Sequence, residues 1–232
     1  MTEIVTIRPE PGDAATVAMG RELGLTISSH PLFAVEPVAW HAPDPARFDA
    51  VLIGSANALR MGGPELKQIA TLPALCVGEA TAQAARDAGF EVRLTGSGGM
   101  QTLLPKAEQL GLRRLLRLSG EAHVPLALPP GIAIETRVLY RVLSRAIPES
   151  LAGKLRHGAL VLLHSGEAAS HFAAEIDRLG IDRARIAVAA LAPRIAERAG
   201  PGWAACASAS TPDDRALLAL TAQMCQSTHL NG

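Results

Sequence analysis

Residues 50–58 read AVLIGSANA, a short apolar run that ends just before a small polar residue, Ser55. A second segment, LVLLHSGEA at 160–168, ends in the same way at Ser165. Apolar runs of this length, each followed by a stretch of helical composition, are typical of strands that are buried on both faces. Strands that alternate with helices predict an α/β fold with parallel sheets flanked by helices.

The two segments belong to a longer internal repeat. EIVTIRPE at 3–10 aligns with RLLRLSGE at 114–121, by nearly the same offset as the first pair. VGEATAQAARDAG at 77–89 aligns in the same way with VAALAPRIAERAG at 188–200. Agreement among three separate segments indicates two copies of one unit, so we expect two similar domains, each with its own parallel sheet.

Two stretches of extended character, LFAVEPVAW at 32–40 and AIETRVLYRVL at 133–143, separate the strand–helix segments. In the second stretch, every other residue from Ile134 to Val142, Tyr140 among them, is predicted to lie on one strand face. Two such crossings predict that the chain leaves the first domain, builds the second and returns, with a two-stranded β-ladder as the hinge. The predicted domains are residues 1–36 plus 144–232 and residues 37–143.

Helical stretches are predicted from amphipathic or alanine-rich composition, with boundaries placed at capping residues. The last of them is predicted to begin with Thr211 as N-cap and Pro212 in the first turn. The predicted helices are 13–24, 56–70, 79–88, 100–110, 167–179, 192–199 and 212–226.

Composition argues against several classes of partner and site. Lys+Arg and Asp+Glu both number 22, so the formal net charge is zero and nothing favours nucleic acid or an acidic membrane surface. Three cysteines, Cys76, Cys206 and Cys225, lack the spacing of a zinc site or a disulfide framework. The first residues show no apolar leader, and no run approaches the roughly 18 apolar residues of a membrane span. We therefore expect a cytoplasmic protein.

Six segments, taken in chain order, carry a resemblance to a known family. They are the strand ending Ile7-Arg8-Pro9, FDAVLIGSANAL, CVGEATAQAARDAGFEV, TRVLYR, ALVLLHSGEAASHF and ASTPDDRALL. In this order and spacing they are similar to uroporphyrinogen-III synthases, and the resemblance covers nearly the whole chain. It implies two α/β domains linked by a β-ladder, a site in the cleft between them, and neither a cofactor nor a metal.

The resemblance also implies an activity, that of a cyclising lyase in tetrapyrrole biosynthesis. Family members act on hydroxymethylbilane, a linear tetrapyrrole with eight carboxylates; they remove its hydroxyl, invert its last ring and close the macrocycle. Tyr140, the single tyrosine of the chain, matches the family's hinge tyrosine and is expected to donate a hydrogen bond to the departing oxygen. Helix N-termini attract anions, so strand-to-helix turns are expected to bind carboxylates. The predicted substrate-binding residues are Arg8, Ser55, Gly78, Thr81 and Ser165.

Each of these residues also has a purely structural interpretation. Thr81, Ser55 and Ser165 would serve equally as helix N-caps, and Arg8 would serve as a strand-end arginine paired with a nearby acid. Tyr140 would cap the core from an amphipathic strand.

The second copy departs from the family pattern. Ala189 and Ala192 stand where the family usually has a glycine and a threonine, which removes a hydroxyl donor, and PLALPPG at 125–131 replaces what is ordinarily a helix. These departures keep two alternatives open: a non-catalytic tetrapyrrole- or small-molecule-binding homologue, and a structural subunit. The expected partners are hydroxymethylbilane and, transiently, hydroxymethylbilane synthase, with the chain itself a monomer.

Overall fold

A computed structural model describes residues 3–229 of the chain. The strands are β1 (Glu3–Thr6), β2 (Ile27–Ser29), β3 (Phe33–Pro37), β4 (Ala50–Ile53), β5 (Ala74–Val77), β6 (Val92–Gly96), β7 (Arg114–Gly120), β8 (Ala133–Ser144), β9 (Ala159–Leu163), β10 (Ile186–Ala190) and β11 (Ala205–Ser208). The helices are α1 (Gly12–Glu22), α2 (Ala56–Met61), α3 (Leu66–Ile69), α4 (Glu79–Asp87), α5 (Leu104–Gln109), α6 (Glu149–His157), α7 (Gly166–Arg178), α8 (Pro193–Ala199) and α9 (Asp214–His229). Short 3₁₀ turns occupy Pro45–Arg47, Gly63–Glu65, Met100–Leu103 and Arg183–Arg185.

The chain divides into two compact units. The first comprises the residues up to Ala34 together with those from Leu143 onward, and the second comprises Val35–Val142. The chain passes from the first unit to the second within β3 and returns within β8, and these two strands are neighbours in one sheet. Chain continuity between the units therefore runs through two adjacent strands.

The first unit is built on a five-stranded sheet in the order β11-β10-β9-β1-β2, paired in parallel throughout. Neighbouring residues of a strand face opposite sides of it. Val5 and Val161 lie in a cluster with helices α6, α7 and α8, whereas Ile4 and Leu160 lie in a cluster with α9. The continuous apolar strands of the sequence are thus explained by burial on both faces.

The second unit repeats this arrangement with a six-stranded sheet in the order β3-β8-β7-β4-β5-β6. Pairing is parallel from β8 to β6. Val51 and Ile53 pack with α2, α3 and α4, and Ala50 and Leu52 pack with α5 on the other face. The predicted fold class, two similar α/β units with parallel sheets flanked by helices, is confirmed.

Two predictions about the helices were wrong in detail, and one helix was missed. The stretch 56–70 is not one helix, because Gly63 adopts a φ of +62° and separates α2 from α3. Helix α9 is capped by Asp213, whose carboxylate accepts a hydrogen bond from Ala216 N at 2.9 Å, rather than by Thr211. Helix α6 was not predicted, although its leucines and alanine are fully buried at one-turn spacing.

The predicted face of β8 was wrong from Tyr140 onward. Ser119 of β7 pairs with Val138, but Gly120 pairs with Tyr140, so Leu139 is an extra residue on β8. Such a bulge interrupts the period-two alternation of side chains. Tyr140 consequently packs with Leu139 against the α2–α4 side of the sheet, whereas Ile134 packs on the α5 side.

In the part of the chain that the structure describes, no helix is long and apolar enough to cross a membrane.

Candidate functional site

Parallel strands of the second unit bring several predicted residues to one edge of its sheet. Gly54 and Ser55 follow β4, Gly78 follows β5, and Gly120 ends β7. The carboxyl ends of parallel strands are the usual place for a ligand in open α/β sheets. This edge is therefore where the topology favours a site.

A cavity of about 570 Å³ opens at this edge. Its polar lining comes from Ser55, Gln101, Arg117, Ser119, His123 and Tyr140. Apolar side chains of Val77, Met100, Leu118 and Leu126 complete much of the wall, and no lining residue is acidic. A concave site of this size, mostly apolar with a few convergent polar groups, is typical of small-molecule binding.

Tyr140 reaches the cavity because Gly120 has no side chain. A Cβ atom at Gly120 would lie 2.7 Å from Tyr140 Cζ and 2.8 Å from its Cε2, closer than any real contact allows. The ring thus occupies the space that a larger residue at position 120 would fill. Within the described residues no hydrogen bond engages the Tyr140 hydroxyl, so it is available to a ligand.

One wall of the cavity is the segment 121–131, which contains neither helix nor strand. Gln101 fixes it through two hydrogen bonds with Ala127, from Gln101 Nε2 to the carbonyl at 2.7 Å and from the backbone N–H to Gln101 Oε1 at 2.9 Å. His123 Nδ1 lies 2.9 Å from Gly120 O. Since a carbonyl only accepts, this nitrogen carries the proton. PLALPPG, the segment predicted to replace a helix, is therefore held in place by Gln101 and forms part of the cavity wall.

Ser55 is both an N-cap and a cavity residue. Its hydroxyl accepts a hydrogen bond from Asn57 N at 3.2 Å at the start of α2, as its structural interpretation predicted, and the residue also lines the cavity. A capping hydroxyl keeps its own proton, which can still be donated to a ligand.

Gly78 and Thr81 are placed differently from Ser55. Gly78 precedes α4 with a φ of +79°, a conformation that favours glycine, and nothing lies within 4 Å of the place a Cβ would take. Thr81 is the third residue of α4, 5% exposed, so it is not the N-cap. Neither residue lines the cavity, although Val77 just before them does.

Sequence reasoning missed Arg117, the charged residue of the cavity, and it also missed Gln101, Ser119 and His123. Arg117 lies within β7, is 7% exposed, and donates from Nη1 to Val124 O at 3.0 Å. Burial lowers the pKa of this guanidinium, yet arginine stays charged at neutral pH. A signal was present, because RLLRLSGE at 114–121 places Arg117 between leucines in a segment that aligns with the opening strand.

Ser165 and Arg8 lie in the first unit, at the corresponding edge of its sheet. Ser165 follows β9 and caps α7, accepting a hydrogen bond from Ala168 N at 3.1 Å. Arg8 follows β1, and its Nη1 lies 2.7 Å from Asp214 Oδ2 at the start of α9. Arg8 thus has the nearby acid that its structural interpretation predicted.

The acid that pairs with Arg8 belongs to a small polar cluster. His164, whose side chain is only 7% exposed, places Nε2 3.4 Å from Asp214 Oδ1. Thr16 donates to Gly12 O and lies within hydrogen-bond distance of the same carboxylate. The hydrogen bond from His164, opposed by burial and assisted by the charge of Arg8, lowers the pKa of Asp214.

The second-copy turn differs from the alignment made on sequence. Ala189 is not a turn residue: it lies inside β10, fully buried. Ala192 is the N-cap of α8 and, having no hydroxyl, makes no capping hydrogen bond from its side chain. Pro193 occupies the first helical position, where its missing N–H costs nothing. Of the two alanines, only Ala192 lies at the turn, so only this position accounts for the missing hydroxyl donor.

No group of three or more histidine, cysteine, aspartate or glutamate side chains in residues 3–229 is arranged to hold a metal ion.

Comparisons with known proteins are consistent with this topology. The model of the family described as Uroporphyrinogen-III synthase HemD matches residues 14–219. The structure of uroporphyrinogen-III synthetase from Helicobacter pylori 26695 is similar, with a TM-score of 0.67 at 18% identity, over 97% of this chain and 100% of that one. A mutant uroporphyrinogen III synthase from the extremely thermophilic bacterium Thermus thermophilus gives a TM-score of 0.56 at 18% identity, over 98% and 100%. At this identity the two structures bear on the fold alone. Comparison with curated proteins found no match.

Proposed function

The chain belongs to the uroporphyrinogen-III synthase family, and on that premise we propose that the cavity of the second unit holds part of the substrate while the macrocycle closes. Members of the family are cyclising lyases of tetrapyrrole biosynthesis: hydroxymethylbilane loses water, its last ring is inverted, and uroporphyrinogen III forms. The observation that carries the proposal is that Ser55 and Tyr140, from separate segments of the sequence, line one cavity at the carboxyl edge of the sheet.

Tyr140 has the chemistry to assist loss of the hydroxyl. The C–O bond of the hydroxymethyl group breaks with its electron pair on oxygen, so that oxygen gains negative charge as it leaves. A phenol O–H that donates a hydrogen bond to it stabilises this charge, and a largely apolar cavity makes that interaction stronger than it is in water. Ring inversion then proceeds through the substrate's own azafulvene cation and a spiro intermediate, which the protein has only to hold in a folded shape.

Folding an anionic chain needs several donors, and we assign them to the turns. Ser55 would donate its hydroxyl proton, and the turn from Gly78 to Thr81 would offer N–H groups at the start of α4. In the first unit, Ser165 at the start of α7 and Arg8 complete the set. Arg8 already pairs with Asp214, so it would share its guanidinium between the acid and the substrate.

We place the reaction in the cytoplasm, with the chain acting as a monomer that receives hydroxymethylbilane from hydroxymethylbilane synthase in a transient encounter. Support comes from the cysteines, since Cys76, Cys206 and Cys225 are all free thiols, as a reducing compartment would leave them. A direct transfer is also favoured by chemistry, because free hydroxymethylbilane closes by itself to the uninverted isomer.

A coupled assay tests the activity. Hydroxymethylbilane is generated in situ, the purified protein is added, and the products are oxidised and resolved as uroporphyrin isomers by chromatography. We expect isomer III to predominate, in an amount proportional to the protein. Isomer I alone, as in the reaction without the protein, would contradict the proposal and favour the non-catalytic homologue, with Ala192 as the first residue to restore to a hydroxyl.

A further inference from the structure

Arg117 is a buried cation for which residues 3–229 provide no acidic partner. Its neighbours on β7, Leu116 and Leu118, are fully or almost fully buried, and the arginine itself is 7% exposed. Among the described residues no carboxylate lies within ion-pair distance of its guanidinium. In the described part of the chain its guanidinium makes one hydrogen bond, to Val124 O, and its Nε is buried without a partner.

A buried guanidinium without a carboxylate partner destabilises the fold unless another molecule supplies the negative charge. A buried charge loses its hydration, and a single neutral carbonyl recovers only part of the loss. Arg117 also shares a sheet face with Leu115 and Leu52, since it pairs with Leu52 across the sheet, so its surroundings are apolar. A methionine or leucine would serve packing better at this position.

Two other arginines, Arg114 and Arg183, show which hydrogen-bond partners a structural arginine has in this fold. Arg114, three residues earlier on the same strand, makes two side-chain hydrogen bonds to Asp49 and is largely exposed. Arg183 binds Asp177 through Nε and Nη2, and its third nitrogen, Nη1, donates to the carbonyls of Ala199 and Pro201. Arg117 finds neither an acid nor a full set of acceptors among the residues that the structure describes.

What Arg117 does adjoin is the cavity. It lines that space together with Ser55, Ser119 and Tyr140, and no acidic side chain lines it. The wall therefore has a net positive charge and free donors, and it lacks the anion that would balance them. An arginine fork matches a carboxylate in geometry and can engage it with two N–H groups.

We propose that Arg117 is the anchor for one side-chain carboxylate of the tetrapyrrole, held inside the second-unit cavity beside Tyr140. This inference rests on the proposed function, which identifies the anion as a carboxylate. It gives Arg117 a role in substrate binding: the ion pair fixes one pyrrole ring next to the phenol, and the charge that the fold left unpaired becomes paired only in the complex.

The test measures binding and turnover separately. Oxidised uroporphyrin III, which keeps all the substrate's carboxylates but does not react, is titrated into the wild type and into Arg117→Gln, Arg117→Lys and Arg93→Gln, and porphyrin fluorescence is followed. Arg93 is an exposed arginine on β6 and serves as the matched change of charge. KM and kcat for hydroxymethylbilane are measured on the same four proteins.

Arg117→Gln is expected to weaken uroporphyrin binding and to raise KM by roughly 10- to 100-fold, the usual effect of losing a charge-assisted hydrogen bond in a buried site. Isomer III should remain the product. Arg117→Lys keeps the charge without the fork and should lose roughly 3- to 10-fold, whereas Arg93→Gln should stay within about twofold, as a surface change does. The melting temperature of Arg117→Gln should not fall, because an unpaired buried charge has been removed.

Binding by Arg117→Gln within twofold of the wild type would overturn the inference, and so would a wild type that binds no uroporphyrin. A lowered melting temperature with unchanged binding would assign Arg117 to fixing the 121–131 segment instead. If Arg117→Gln does not fold, the Arg117→Lys titration decides in the same way. The proposed function fails separately, through isomer I as the wild-type product, and that result can occur whether or not binding depends on Arg117.

Discussion

Tyr140 is expected to act on the chemical step and not on folding. In Tyr140→Phe the ring still fills the space beside Gly120, so packing is kept and only the hydroxyl is lost. We expect kcat to fall roughly 10- to 100-fold with KM little changed, because a hydrogen bond to the leaving oxygen strengthens as charge develops on it. Initial rates of isomer III formation measure this effect.

The same variant should melt at the wild-type temperature. A rate equal to that of the wild type would remove Tyr140 from the mechanism and leave it as a core residue. Loss of activity together with a lower melting temperature would instead mean that the hydroxyl supports the fold.

Ser55, Tyr140 and Arg117 show what single residues reveal in a sequence. Ser55 was predictable because an apolar strand followed by a serine and a helix indicates a local turn, and local turns depend on neighbouring residues. The place of Tyr140 was predicted from the family resemblance, but its face was wrong, because a bulge arises from pairing with β7 and leaves no local mark. The place of Arg117 between leucines was visible in RLLRLSGE, but its significance, the absence of a nearby acid among the described residues, depends on the folded structure and is not expressed by any spacing along the chain.

A hydrogen bond to the carboxylate of Glu175 connects helix α7 to the segment before α6. Glu175, whose side chain is 11% exposed, accepts hydrogen bonds from Ile147 N at 2.8 Å and from Arg178 Nε and Nη2 at 2.7 and 2.8 Å. These contacts, the one with Arg178 first, outweigh burial and lower the pKa of Glu175 to about 2. Ionised Glu175 therefore stabilises the fold above the unfolded-state pKa of about 4.3, and this stabilisation is lost as pH falls from there towards 2.

Glu175→Gln is thus expected to lower the free energy of unfolding by about 1–2 kcal/mol at pH 7, a value reduced for the exposed position of Arg178. The difference from the wild type should narrow steadily below pH 4.5, because the wild type loses the same charge there. Urea titrations at pH 7 and pH 3.5 measure both points. Glu197→Gln, an exposed glutamate of α8, is the control and should change little. If the difference in free energy of unfolding between the wild type and Glu175→Gln is the same at pH 7 and at pH 3.5, ionisation of Glu175 does not contribute to stability.

At the level of helices and strands, prediction succeeded where burial alone sets the pattern. Strands β4 and β9 are continuous apolar runs and were located closely. Helix α6 was missed although its buried residues recur at helical spacing, because RAIP at 145–148 before it resembles a loop and its polar face is strongly charged. The division of 56–70 at Gly63 was missed although Gly62, Gly63 and Pro64 favour a break, because the apolar residues on either side, Leu59, Leu66 and Ile69, keep helical spacing.

Two units with separate cores should unfold as two cooperative steps. Each unit buries both faces of its own sheet. A unit with its own buried core behaves thermodynamically as a domain, which unfolds in one cooperative step. The chain supplies a reporter for each, since its two tryptophans fall in different units: Trp40 packs on the second-unit core, and Trp203 stacks on Phe172 of the first at a centroid distance of 5.6 Å.

Single-tryptophan variants make the test. Trp203→Phe leaves Trp40 to report on the second unit, and Trp40→Phe leaves Trp203 to report on the first; far-UV circular dichroism checks that each variant is folded. We expect different urea midpoints for the two signals. Adding Glu175→Gln should move the Trp203 transition by the amount found for that change alone and should leave the Trp40 transition in place, because Glu175 belongs to the first unit. A shared midpoint that Glu175→Gln shifts equally in both signals would instead mean that the molecule unfolds as one cooperative body.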